Sequence, residues 1–205
     1  MSAYLGLRWE EVSALKPRDL ELNGPIGIVH VRGTLPRSDG RIVYRTYGKT
    51  ASARRSLKVP EFLRQALKLH LASYSNANWI FPAPNGGFLR GDNFRTRSWI
   101  PATEAGGLAG SDSFTFHELR HTAAAFMIDE GADPLQVMRR MGHSDIRTTY
   151  NLYGHLFPDR EDDLVAKLDG RYFRALRANG REETPALEEN GFDSALTQRP
   201  LTLRL

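Results

Sequence analysis

Phe114-Thr115-Phe116-His117-Glu118-Leu119-Arg120-His121-Thr122, followed by Gly142-His143 and then Tyr150-Asn151-Leu152-Tyr153-Gly154-His155, gathers imidazoles, a guanidinium and phenols into one short part of the chain. Thr115 is a good N-cap, and Glu118 three residues later completes a capping-box pattern. A helix is therefore predicted from there through His121, Ala123, Ala124, Phe126, Met127 and Ile128, ended by Gly131. On such a helix His117, Arg120 and His121 stand at i, i+3 and i+4, so one site has access to all three. His117 falls in the first turn, where the positive end of the helix dipole disfavours imidazolium and leaves a neutral base. The plainer use of the same residues is structural, with each bonded to nearby carbonyls or acids.

On the C-terminal side, Asp133-Pro134 opens a second helix with Leu135, Met138 and Met141 on its apolar side. Gly142 ends it, which puts His143 just beyond a helix C-terminus. Ser144 is the predicted cap of a third helix that carries Ile146, Tyr150 and Tyr153 and runs out near Pro158. A further helix is predicted from Arg160 to about Ala178, after which little apolar periodicity remains.

On the N-terminal side, Trp9, Val12 and Leu15 follow a helical pattern that Pro17 stops. Residues 26–31, 41–44 and 56–59, each bounded by Gly, Pro or polar residues, read as three short strands of one small antiparallel sheet, with Lys49 in its second connection. Pro60 starts a helix whose apolar face is Phe62, Leu63, Ala66, Leu67, Leu69 and Leu71. Residues 75–93 are rich in turn formers but anchored by Trp79-Ile80-Phe81, and another helix is predicted over Phe94–Ala105. The expected fold is α+β, mostly α-helical with a small three-stranded antiparallel sheet. The domain expectation is one catalytic domain over 1–178 and a loose tail over 179–205.

The composition sets limits on this reading. With 205 residues, 40% hydrophobic and 25% charged, the chain supports a well-packed core. It has no cysteine, which excludes disulfides and thiolate metal sites. No secretory signal or membrane-length apolar run is present, so it reads as soluble and intracellular. The net charge is only +4, from 28 Lys and Arg against 24 Asp and Glu, but its distribution is uneven. Between positions 30 and 60, Arg32, Arg37, Arg41, Arg45, Lys49, Arg54, Arg55 and Lys58 face the single acid Asp39. So basic a segment suits salt-sensitive phosphate contacts, and equally a solvated face.

His117-Glu118-Leu119-Arg120-His121 also matches H-E-x-x-H, the zinc protease pattern. Against it, Glu118 is already explained as a cap partner, and Arg120 beside a divalent cation opposes binding. No metal site is expected.

Five blocks occur in the order seen in tyrosine recombinases of the phage-integrase type. They are Gly6-Leu7-Arg8-Trp9-Glu10-Glu11, Lys49-Thr50 with Arg54-Arg55, His117-Glu118-Leu119-Arg120-His121-Thr122, Met141-Gly142-His143-Ser144 and Tyr153-Gly154-His155-Leu156-Phe157-Pro158. Over roughly residues 5–160 the chain resembles the catalytic domain of that family. The resemblance implies that Arg8 and Arg120 clamp a scissile phosphate, that Lys49 is the general acid, that His117 and His143 are further site residues, and that Tyr153 is the nucleophile. Tyr153 lies ten residues after His143, the longer of two spacings in the family; Tyr150, one turn earlier, is the rival.

The implied chemistry is strand cleavage through a 3′-phosphotyrosyl link with release of a 5′-hydroxyl, later reversed without cofactor. The residue types suit it on their own account. Guanidiniums bind phosphoryl oxygens in pairs, a phenol with a pKa of about 10 needs a base, and a phosphotyrosyl ester conserves the bond energy. Arg8 has a structural rival role in pairing with Glu11 at i+3. Arg45, Arg54 and Arg55 are candidate DNA-backbone contacts.

The implied partners are double-stranded DNA and further copies of the chain, which in the family form a tetrameric synapse, with residues from Arg160 onward as an oligomer contact. The implied location is cytoplasmic and nucleoid-associated, away from membranes. Full-length family members usually carry a separate N-terminal DNA-binding domain, whereas this sequence starts inside the first expected catalytic-domain helix. Two other functions are compatible with the residues: a catalytically incomplete DNA-binding remnant, and nicking and relaxing of the type IB topoisomerase kind.

Overall fold

The computed structural model describes residues 1–38, 41–47, 54–74, 76–108 and 114–179. Its chain divides into two compact units, Met1–Pro158 and Asp159–Leu205. The second contains the helix α9, Glu161–Ala178, whose Leu164, Val165, Leu168 and Tyr172 are exposed. That helix starts within a residue of the expected position.

The first unit opens with two short helices, α1 (Ser2–Leu5) and α2 (Trp9–Val12). Gly6 between them turns the chain at φ 67°, in the left-handed region that only glycine enters without strain. A Cβ at this position would also meet Met141 Sδ at 2.5 Å. Leu5, Leu7, Val12 and Leu15 are buried by this reversal, although the helix bearing Trp9 is shorter than its periodicity suggested.

The three-stranded antiparallel sheet is present but is not composed as expected. β1 (Leu20–Glu21) pairs with β2 (Gly27–Val31), which pairs with the last strand of the region, Arg55–Val59. The expected middle strand, 41–44, is instead part of an outward excursion between the two. In that excursion β3 (Gly33–Thr34) pairs with β6 (Arg45–Thr46), and β4 (Arg37–Ser38) pairs with β5 (Arg41–Ile42). The returning strand is β7. Burial explains the difference: Val29 and Val31 of β2 and Leu57 and Val59 of β7 all point into one core, while Arg41, Val43 and Arg45 are exposed. Two buried apolar faces in register outcompete a strand whose Ile42 and Tyr44 are only half-buried.

α3 (Glu61–Ser73) follows Pro60 as predicted and buries Leu63 and Leu67, but Phe62 and Leu69 of its expected apolar face are exposed. Ile80 anchors the following loop, fully buried, with its N–H donated to Leu15 O at 2.9 Å. The helix expected over Phe94–Ala105 is a continuous helical run: α4 (Gly91–Phe94), a π-type turn (Arg95–Trp99) and α5 (Ile100–Ala105).

α6 (Glu118–Asp129) carries the opening motif. The Thr115 capping box is not formed. Thr115 is exposed, and its carbonyl, not its hydroxyl, accepts the Glu118 N–H at 3.0 Å. What fixes the entry to this helix is aromatic packing: Phe116 stands edge-on to Trp9, Phe94 and Trp99, with ring centroids 5.2, 5.6 and 5.4 Å away. α7 (Pro134–Met141) has the predicted Asp133 cap, boxed with Gln136, and ends at Gly142 in the left-handed region. α8 (Ile146–Tyr153) is capped by Asp145, one residue after the expected Ser144, through a bond from the Arg147 N–H. Ala124, Ile128, Val137, Met141 and Tyr153 form a second core where α6, α7 and α8 meet.

Candidate active site

Arg8 sits at the N-cap of α2, and Glu11 one turn later is fully buried beneath it. Glu11 accepts the Arg8 backbone N–H at 2.9 Å and the Arg8 Nη1 group at 3.3 Å. It also takes a bidentate pair from Arg55, at 2.9 Å for each bond, and the Tyr47 hydroxyl at 2.9 Å. Burial alone pushes the Glu11 carboxyl up, but hydrogen bonds and charge from Arg55, and those of Arg8, outweigh it and hold the group below the ordinary carboxylate value. Burial and the charge of Glu11 push the Tyr47 phenol up to about 12, so it remains a donor. Glu11 thus joins α2, β7 and the end of the excursion beneath the Arg8 side chain.

Arg55 corrects one expectation. Its side chain is only 7% exposed, held by Glu11 and, through Nε, by Arg140 O at 2.8 Å. It is a buttress inside the protein and is not available as a surface contact for phosphate. Arg45 and Arg54 are exposed. Lys49 lies outside the described residues.

Arg120 is buried in the first turn of α6. One Nη donates to Gly6 O, and the other to Met141 O at 2.6 Å. These carbonyls fix the guanidinium between the ends of α1 and α7 without neutralising it, and no carboxylate pairs with it among the described residues. Burial, reinforced by the charge of Arg8, lowers its pKa to about 10, which leaves it cationic at neutral pH. The left-handed turn at Gly6 is what turns the first of those carbonyls toward Arg120.

His143 is buried just beyond α7, with Nδ1 against Thr149 Oγ1 at 3.0 Å. Burial, and then the charges of Arg120, Arg8 and Arg55, lower its pKa to about 4. It is therefore neutral in the folded state. Between the ordinary value of 6.5 and about 4, the unfolded chain takes up a proton that the folded protein does not. The contribution is whole above pH 6.5 and is lost as pH falls through that window. Urea midpoints measured across it should fall more steeply for the wild type than for His143→Asn.

Tyr153 ends α8 and is only 3% exposed. Its hydroxyl lies 2.9 Å from His121 Nδ1. Its ring is nearly parallel to that of His143, at 11° with centroids 6.4 Å apart. Burial raises the phenol pKa, while the charges of Arg120 and Arg8 pull it back. The phenol is thus protonated at rest and lies in the field of both arginines. Tyr150 is half exposed and packs on Phe157 instead.

His117, at the N-cap of α6, stands edge-on to His121 with centroids 5.0 Å apart. Desolvation, then the charges of His121 and Arg120, lower its pKa and favour the neutral form that the sequence suggested. Among the described residues no third acidic or imidazole ligand joins these two histidines, and Nδ1 of His121 already faces Tyr153.

The structure therefore brings Arg8, His117, Arg120, His143 and Tyr153 into one electrostatic neighbourhood; Arg8 acts on each of the other four. An open cleft of about 430 Å³, lined by Glu118, His121, Tyr153 and His155 among others, adjoins the tyrosine. The sequence reading did not identify Tyr47, Thr149 or the partnership of His121 with Tyr153, and saw Glu11 only as a possible rival partner of Arg8. The i+3 spacing was the only signal for Glu11. The remaining contacts join residues distant in sequence or buried by packing.

The model of the phage integrase family matches residues 2–160. The chain belongs to that family. It is 24% identical over 181 residues to the integrase of Staphylococcus phage L54a, covering 82% of this chain and 50% of that one. It is 34% identical over 140 residues to the tyrosine recombinase XerD of Brucella suis, covering 65% and 44% respectively. The chain thus spans about half the length of these curated relatives. Among solved structures, the Tn1549 transposon integrase in complex with circular intermediate DNA superposes with a TM-score of 0.63 at 21% identity, covering 82% of this chain and 56% of that one. The fold is accordingly that of a tyrosine-recombinase catalytic domain. Among the described residues, no helix is long and apolar enough to cross a membrane.

Proposed function

We propose that this chain cuts and rejoins double-stranded DNA through a transient 3′-phosphotyrosyl link on Tyr153, as the catalytic domain of a site-specific recombinase or integrase. The observation that carries the reading is the phenol of Tyr153, buried at the end of α8 in the joint field of Arg8 and Arg120. A phosphodiester brings one negative charge, and its pentavalent transition state concentrates more on the non-bridging oxygens. Arg8 and Arg120, the latter paired with no carboxylate among the described residues, stabilise that charge most when it is greatest. His117 and His143, both held neutral, add N–H donors to the phosphate without adding charge. Lys49 protonates the departing 5′ oxygen. The ester retains the bond energy, so a 5′-hydroxyl reverses the step without cofactor.

DNA is the partner in this reading. The exposed Arg45 and Arg54 are its remaining candidate backbone contacts, and the exposed apolar residues of α9 are the candidate surface for self-association into a recombining assembly. The domain assignment is a catalytic unit followed by a C-terminal tail over 179–205. A family relative named XerD and the DNA-bound Tn1549 integrase support this reading.

The test is incubation with a pool of nicked suicide duplexes, randomised around the nick, followed by recovery of denaturant-stable covalent complexes and mass spectrometry of the DNA-linked peptide. The expected link is on Tyr153. A link on Tyr150 would refute the assignment of the nucleophile. No trapping from any member of the pool would favour a DNA-binding remnant, and sequence-independent plasmid relaxation would favour a topoisomerase-like activity.

A further inference from the structure

We propose that His121 is the group that holds the Tyr153 phenol and accepts its proton when the tyrosine attacks. The inference rests on the reading of Tyr153 as nucleophile and goes beyond it in naming where the proton goes. His121 and His143 stand beside the tyrosine ring and His117 stands beside His121, and their geometry distinguishes them. His143 has Nδ1 committed to Thr149 at 3.0 Å, and its ring lies parallel to the tyrosine ring. His117, the base that the sequence suggested, stands beside His121. His121 places Nδ1 at 2.9 Å from the phenol oxygen, within the reach required of a general base.

For the phenol to donate, Nδ1 must carry the lone pair and Nε2 the hydrogen, so the contact selects one tautomer. The charged groups around it set what happens on proton transfer. His117, from the same helix, and His143 each carry a charge repulsion with His121, and Glu118, Tyr153 and His155 line the same cleft. The negative charge gathering on the phosphate favours proton transfer to His121 as attack proceeds.

The step balances. The O–H bond of Tyr153 breaks and its proton moves to His121 Nδ1. The phenolate oxygen forms a bond to phosphorus, the bond from phosphorus to the 5′ oxygen breaks, and that oxygen takes a proton from Lys49 as a 5′-hydroxyl. In rejoining, His121 returns its proton to the leaving phenolate.

The experiment compares wild type, His121→Ala, His121→Asn and Tyr153→Phe on the trapped members of the nicked pool, with a normal 5′ oxygen and with a bridging 5′ sulfur, a leaving group that needs no proton. His121→Ala is expected to cleave at least about 10²-fold more slowly. His121→Asn, which offers an acceptor oxygen but no usable base, should remain slow while its circular dichroism matches wild type. The sulfur leaving group should not restore either, although it should restore a Lys49 variant, and added imidazole should restore His121→Ala in part.

Cleavage by His121→Ala at the wild-type rate, or full restoration by sulfur, overturns the role of His121 and leaves the tyrosine reading standing. Failure of wild type itself to trap sinks that reading, and this inference with it. A DNA-free arm is independent of both: the His121 imidazole nitrogen shifts should change in Tyr153→Phe, and unchanged shifts overturn the contact.

Discussion

Tyr153→Phe is expected to abolish the covalent complex while leaving retention of the same duplexes on a filter within about a factor of two of wild type. Phenylalanine fills the same space, so the packing among Ala124, Ile128, Val137 and Met141 is kept and only the oxygen is lost. That oxygen is hydrogen-bonded to His121, and the loss of a bond of this kind costs about 1 kcal/mol. The fold should therefore survive with little change in urea midpoint. Catalysis should not, because the missing atom is the one proposed to bond to phosphorus. Tyr150 offers no substitute, since its ring is packed on Phe157 rather than beside His121 and His143. The measurement is denaturing gel electrophoresis of the protein–DNA adduct, and a residual adduct in the variant would transfer the nucleophile's role away from Tyr153.

Glu11→Ala is expected to lower folding stability by about 3–5 kcal/mol, the usual consequence of removing one member of a buried ion pair. The carboxylate is fully buried and takes four side-chain hydrogen bonds, from Arg8, Arg55 and Tyr47. Without it the Arg55 guanidinium, 7% exposed, loses the carboxylate that it pairs with in the interior. Glu11→Gln keeps an acceptor for Tyr47 but not the charge, and should fall between alanine and wild type. Urea denaturation measures both, and a shift of midpoint at unchanged slope identifies a loss of stability rather than a change in the unfolded chain. The cleavage rate of Glu11→Gln, followed well below its denaturation midpoint, should also fall, because Arg8 loses the group that orients it. Arg147→Ala, which breaks the exposed Asp145–Arg147 pair at 2.6 Å but leaves Asp145 capping α8 through the residue-147 backbone N–H, should have little effect, since water competes for both partners.

Much of the fold was legible because local chemistry and tertiary packing agree. Asp133-Pro134 and Gly142 delimit α7 by capping and by a left-handed turn, and both signals are confined to a few residues. The sheet was legible in its ends, since the alternating apolar residues of β2 and β7 announce a buried face. Its order was not, because pairing depends on which apolar faces meet, and the Ile42–Tyr44 face of 41–44 is only half-buried. The Thr115 motif failed for a related reason. A capping box states what a side chain is able to do, whereas here Phe116 inserted among Trp9, Phe94 and Trp99 sets the path of the chain.

The sequence by itself determined the family and the residue types: arginines, imidazoles, a lysine and a tyrosine in an order that matches the phage integrase family and suits phosphoryl transfer. Only the tertiary structure decided where each group stands. It separated Arg55, turned inward onto Glu11, from its exposed neighbour Arg54, which residue identity could not do. It buried Tyr153 and exposed Tyr150, although both occupy the same helix. It set His121, rather than His117, against the phenol. The physical reason is common to all three. Charge and basicity belong to the residue, but burial, hydrogen-bond partner and orientation come from contacts between segments that the sequence keeps far apart.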